Sequence, residues 1–176
     1  LAAKEFPDIR IRCIDSQNLS TGIGLSVLAA CELAEQGCTA DEIEARIIAM
    51  VPRVRASFVI DTMTFLYHGG RCSAVKAYGA TLLKIKPQIS VTNGAMHPSE
   101  KFRGGIVHVA RQYAERALAD LSSIDPKRAF ITYTQDTDEA VVQSVREVVG
   151  GKAYFEEILE TTAGCVVTSV TVAPRR

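Results

Sequence analysis

No apolar run in this chain approaches the roughly 18 residues needed to span a bilayer, and its first residues lack the zones of a signal peptide, so a soluble protein is expected. Nor does one sign of charge prevail. Twenty Lys and Arg balance 20 Asp and Glu, which leaves no basic field to hold nucleic acid, and at most transient contact with a membrane. The cysteines, Cys13, Cys31, Cys38, Cys72 and Cys165, are odd in number, scattered and without a C-x-x-C pair. That excludes a disulfide scaffold and a zinc ribbon, and the expected compartment is a reducing cytoplasm. His68, His97 and His108 do not stand at metal-ligand spacing, so no metal or other cofactor is expected.

What is present is arginine beside glycine, twice. Gly69-Gly70-Arg71-Cys72-Ser73 and Lys101-Phe102-Arg103-Gly104 each put a permanently charged fork where the backbone can come close to a ligand. Oxyanion chemistry is the expectation. At 176 residues the chain can bury a substantial core as one domain, or as one domain and part of another.

Residues 9–14 alternate as a strand, Asp15 and Ser16 supply turn chemistry, and Ser20-Thr21-Gly22-Ile23-Gly24 leads into an apolar helix over 25–36 that Gly37 closes. Thr39 with Glu42 has the capping-box pattern for an amphipathic helix reaching about Val51, before Pro52. Residues 56–60 read as a strand, 61–67 as a helical turn and 73–83 as a helix. Asn93-Gly94 between the apolar runs 85–91 and 96–102 predicts a hairpin. Ile106, Val109, Ala110, Tyr113, Ala117 and Leu121 recur at helical spacing. A strand over 128–134, a helix capped by Asp136 and ended by Gly150-Gly151, and strands over 152–159 and 165–168 complete the reading. The fold class expected is α/β: a β-loop-α remnant of a parallel-sheet domain over 1–38, then an α+β domain over 39–176 with an antiparallel or mixed sheet and packed helices.

In this order and spacing the chain resembles the DegV family of bacterial fatty-acid-binding proteins. The matching residues are Ile14-Asp15-Ser16 with Gly22-Ile23-Gly24, Val59-Ile60-Asp61-Thr62 leading to Leu66-Tyr67-His68-Gly69-Gly70-Arg71-Cys72-Ser73, Leu82-Leu83-Lys84-Ile85-Lys86-Pro87, and Lys101-Phe102-Arg103-Gly104. The resemblance implies a two-domain, non-catalytic carrier that buries a long-chain fatty acid and presents its carboxylate to a separate fatty acid kinase, for phospholipid synthesis. It implies that Arg71 and Arg103 lie near the carboxylate or the docked kinase, with Gly69, Gly70, Ser73 and Gly104 in support.

The chain also departs from the family pattern. The threonine and serine that hold the carboxylate are expected in a segment preceding Leu1, and the His-x-Gly-Pro motif near the carboxyl end is replaced by Val170-Thr171-Val172-Ala173-Pro174. The codons CAC-TGT-GGC-CCC, for His-Cys-Gly-Pro, read one base later as Thr-Val-Ala-Pro. Residues 171–174 thus fit a shifted reading frame, although an unrelated tail or a divergent member would give the same letters.

Plainer readings stand beside these. An arginine after Gly-Gly is ordinarily a solvated loop residue, whereas Arg103 opens a helix, where a cation opposes the macrodipole. Gly22-Ile23-Gly24 could cradle a phosphate, but the third glycine of a dinucleotide fingerprint is absent. Cys72 beside Arg71 lacks a paired histidine and reads as inert. The alternatives to a lipid carrier are a nucleotide- or phosphosugar-using α/β enzyme, and a folded but nonfunctional fragment.

Overall fold

A computed structural model describes residues 2–62, 68–70, 85–163 and 168–175. After a helical turn, α1 (Ala2–Glu5), the described helices are α2 (Thr21–Glu35), α3 (Ala40–Met50), α4 (Ile106–Ala117) and α5 (Glu139–Gly151). The strands are β1 (Arg55–Val59), β2 (Lys86–Thr92), β3 (Ala95–Phe102), β4 (Ile124–Thr134), β5 (Glu157–Ala163) and β6 (Thr168–Pro174). They form one mixed sheet in the order β3-β2-β1-β6-β4-β5. Only β4 and β5, joined through α5, run parallel among these pairs.

The alternation of side chains across each strand divides the core into two faces. Val59, Ala129, Ile131, Val170 and Val172 point to α4 and α5, where they meet Val109, Tyr113, Val145 and Val149. On the opposite face Phe130 and Ala173 pack with Leu25 of α2, while Leu33 of α2 meets Ile47 and Val51 at α3. The stripe expected around α4 is therefore its buried side, with Val109, Ala110 and Tyr113 inaccessible to solvent.

Local chemistry explains several boundaries. The Thr39 hydroxyl accepts the Glu42 N–H and the Glu42 carboxylate accepts the Thr39 N–H, so the capping box expected there forms. Asn93 and Gly94, at φ of 52° and 76°, make the tight turn of the β2–β3 hairpin, and Thr92 pairs with Ala95 across it. Asp15 accepts the Gln17 N–H at 2.9 Å, as turn chemistry requires.

Three expectations need correction. Residues 9–14 form no strand. Their alternation is inverted: Arg12 turns inward to Asp41 and Glu44 on α3, with the exposed Arg10 also reaching Asp41, while Ile9 and Ile11 remain 60% and 36% exposed. A strand needs a neighbouring ladder, and ion pairing to a helix supplies none. The cap of α5 is Asp138, whose carboxylate accepts the Ala140 N–H at 2.9 Å, rather than Asp136. The strand expected over 152–159 is β5, displaced toward the carboxyl end because α5 continues through both glycines and Ala153 takes a left-handed φ of 46°. Of the strand expected over 165–168, residues 165–167 lie outside the described residues, and Thr168 opens β6. That strand carries Val170 and Val172 into the centre of the sheet, between β1 and β4. The segments 63–67 and 71–84, on which most of the expected helical turn and the helix over 73–83 fall, lie outside the described residues.

Candidate ligand-binding site

One end of the sheet collects the residues of interest. Asp61, just past β1, forms an ion pair with Lys86 at the start of β2, and Lys86 also donates to the Asp61 carbonyl at 3.1 Å. Lys86 pairs in turn with Phe102, the last residue of β3. Phe102 is buried and anchors the strand, so Arg103 emerges immediately beyond it, exposed, at the corner leading into α4. Gly104 has a φ of +117°, a conformation that side chains rarely adopt, and this lets the backbone turn from β3 into the helix.

The start of α4 has no side-chain cap, for its N-cap is Gly105. Its free N–H groups therefore lie within a few residues of the Arg103 guanidinium, and both favour an anion. Gly69 and Gly70 form an exposed turn, Gly70 at a φ of +66° with open space where a side chain would stand. Arg71 and Ser73 lie outside the described residues. Arg103 and Gly104 are thus placed together at the corner, and Gly69 and Gly70 on a turn that leads into Arg71.

Gly22 and Gly24, expected in a loop ahead of a helix over 25–36, lie in the first turn of α2, which begins at Thr21, and they serve a different purpose from a phosphate cradle. A side chain at Gly22 would sit 2.1 Å from the Asn18 Oδ1, so the Asn18 amide fills the space the glycine leaves. Thr21, the first residue of α2, is buried, and its hydroxyl donates to Thr171 Oγ1 at 3.0 Å and lies 3.3 Å from Thr132 Oγ1. These hydroxyls belong to a buried polar seam that continues across the sheet. Ser169 Oγ donates to the Ser57 carbonyl at 2.8 Å. From the other face Tyr113 donates to that carbonyl at 2.6 Å and accepts the Val170 N–H at 2.9 Å. Burial pushes the Tyr113 phenol up to about 12, against the opposing effect of its bonds to Ser57, Val170 and Ser169. Helical periodicity marked Tyr113 as core, but its hydroxyl partners come from distant strands and carry no local signal.

Among the described residues no group of three or more His, Cys, Asp or Glu could hold a metal ion, and no helix is long and apolar enough to cross a membrane.

A three-layer α/β domain, helices on both faces of a mixed sheet, is the class that these observations define. The model described as "Uncharacterised protein, DegV family" matches residues 1–172, and the chain belongs to the DegV family. A DegV domain-containing protein of Caldanaerobacter subterraneus is 34% identical over 159 residues, covering 89% of this chain and 55% of the relative. One from Clostridium perfringens is 34% identical over 168 residues, 95% of this chain and 58% of the relative. The chain thus spans a little over half the length of the curated relatives it matches. Among solved structures, a fatty-acid-binding DegV family protein from Thermus thermophilus superposes with a TM-score of 0.83 at 28% identity, over 99% of this chain and 64% of that one. The Streptococcus pneumoniae fatty acid kinase B3 protein loaded with linoleic acid shares the fold, with a TM-score of 0.78 at 19% identity, over 98% of this chain and 62% of that one.

Proposed function

We propose that this chain is the larger part of a fatty-acid carrier, a non-catalytic cytoplasmic protein that presents an acyl carboxylate to a separate fatty acid kinase for acyl-phosphate formation. The observation that carries the proposal is the family match over residues 1–172, together with the likeness to the Thermus fatty-acid-binding protein. In this reading Arg71 and Arg103 form the basic rim around the carboxylate or the docking kinase, and Gly69, Gly70, Ser73 and Gly104 let the backbone approach. The uncapped start of α4 beside Arg103 supports that assignment on physical grounds.

Residues 1–38 are assigned in the same proposal to an amino-terminal α/β domain, and 39–176 to the carboxy-terminal one. Support comes from the apolar side chains the first segment leaves in water: Phe6, Ile9, Ile11, Ile23 and Val27 are all exposed. An acyl chain of about sixteen carbons gains roughly 10 kcal/mol on burial, provided that both walls of its pocket exist. Calorimetric titration of palmitate or oleate is the test. The 176-residue chain should bind weakly or not at all, and a version extended at both ends to the length of its relatives should bind tightly. Equal affinity in both would refute the two-domain site. In the extended protein Arg103→Ala should lower acyl-phosphate formation by a partner kinase far more than it lowers thermal stability. Normal phosphorylation of that variant would remove Arg103 from the site.

A further inference from the structure

Between α2, α3 and the starting end of β4 lies a cleft of about 420 Å³, within the range ordinary for small-molecule sites. Its floor is aliphatic, made chiefly by Leu25, Leu33, Ile47 and Met50, with no aromatic ring among its lining residues. That surface suits a saturated body and offers nothing on which a base could stack.

The rim decides the head group. Its two carboxylates are already engaged: Glu32 pairs with Lys127 and with Arg128 Nη2 at 3.1 Å, and Asp125 accepts the Lys127 N–H at 2.9 Å. Arg128 is further held by Glu157. Arg46 and Arg53 have no carboxylate within salt-bridge reach among the described residues. Glu42, one turn before Arg46 on α3, feels the Arg46 charge, but its carboxylate is taken up by the Thr39 N–H and hydroxyl. Arg53 is oriented instead by two neutral acceptors, the carbonyls of Ala49 and Arg175, each at 3.2 Å. A fork held in place but not neutralised keeps donors for an oxyanion.

We propose that this cleft binds a compact amphiphilic anion, an aliphatic body carrying one acidic head group, a carboxylate or a phosphate monoester. The aliphatic part enters between Leu33 and Met50 while Arg46 and Arg53 hold the head group at the mouth. The site is separate from the Arg103 corner. Arg103 follows β3, three strands from β6 in the sheet order, or about 14 Å at the usual strand spacing.

Two-dimensional amide NMR of the 176-residue chain, titrated with decanoate, decyl phosphate and decanol, tests the proposal. Saturable shifts should centre on Ala29, Ile47, Met50 and Ala173, with decanol binding about tenfold more weakly than the tighter anion, whose identity names the head group. The double variant Arg46→Gln/Arg53→Gln should weaken the anions about tenfold and leave decanol unchanged. Ala29→Trp should fill the cleft and abolish binding, and Arg103→Ala should have no effect, which keeps this site distinct from the fatty-acid reading. Shifts centred elsewhere, or equal binding of decanol and both anions, would overturn the proposal. So would undiminished anion affinity in the arginine double variant, which bears only exposed substitutions and serves as the test if Ala29→Trp disturbs folding.

Discussion

Removing a single oxygen, in Tyr113→Phe, should unbalance the middle of the sheet. The ring is fully buried, and its hydroxyl accepts the Val170 N–H and donates to the Ser57 carbonyl, which face each other on β6 and β1. Phenylalanine keeps the packing and leaves the Val170 N–H without that acceptor, a loss of about 1–3 kcal/mol for a buried donor. The Ser57 carbonyl keeps the Ser169 hydroxyl, so the lower half of that range is expected. Urea unfolding near pH 7 should show the midpoint falling with the slope unchanged.

The pH dependence gives a second reading of the same oxygen. The folded phenol titrates at about 12 against 10.0 for an ordinary tyrosine, so the unfolded chain releases its proton first. Stability from this group is complete below pH 10 and is lost as pH rises toward 12, in total about 2.7 kcal/mol for a pKa raised by about two. The gap between wild type and Tyr113→Phe should therefore narrow between pH 10 and pH 12. A gap that stays constant over that window, or a variant as stable as wild type at pH 7, would refute the argument.

Thr39→Ala removes the hydroxyl half of a capping box and should cost about 1 kcal/mol in urea unfolding, with helical circular dichroism of the folded state retained. Gly94→Ala places a side chain at a φ of +76° in a turn with only ordinary contacts around it, so a loss of about 1–2 kcal/mol from backbone strain alone is expected, read as a lower thermal midpoint. The Arg146 guanidinium, by its hydrogen bonds, holds the Glu160 carboxyl below the usual value against the opposing effect of burial. Whatever stability this gives is present above about pH 4.5 and fades as pH falls through the lowered value; Arg146→Met should move the Glu160 carbon-13 titration upward.

The parts of the fold that were legible in the sequence are those specified by neighbours along the chain. Asn93-Gly94 and Thr39 with Glu42 act within a few residues, and each formed as its chemistry requires. The α4 stripe was equally plain because one face of a helix repeats at short range. Residues 9–14 misled because alternation is also satisfied when Arg12 faces a helix and Ile9 and Ile11 face water. The run of β6 beyond Thr168 was not anticipated, since its partners, β1 and β4, are remote and nothing in Thr-Val-Ala-Pro announces a central strand. Of the candidate site, Arg103 and Gly104 were singled out by a motif, while the uncapped start of α4 beside them is a property of backbone geometry. The hydroxyl seam from Thr21 to Tyr113 left no pattern at all, for hydroxyls meet there only after the helices have closed on both faces.

The position of β6 also bears on how the molecule assembles. Without it the sheet falls into two pieces, the meander β3-β2-β1 and the parallel pair β4-β5 bridged by α5, each built from contacts close in the chain. β6 joins them by pairing Arg55 with Val172 on one side and Phe130 with Thr171 on the other. Closure of the long loop from β1 to β6 must therefore come late, and it sets the folding rate more than either half does. Until then β1 and β4 each expose a bare edge flanked by apolar side chains, so a growing or unfolded chain is open to pairing with another copy of itself.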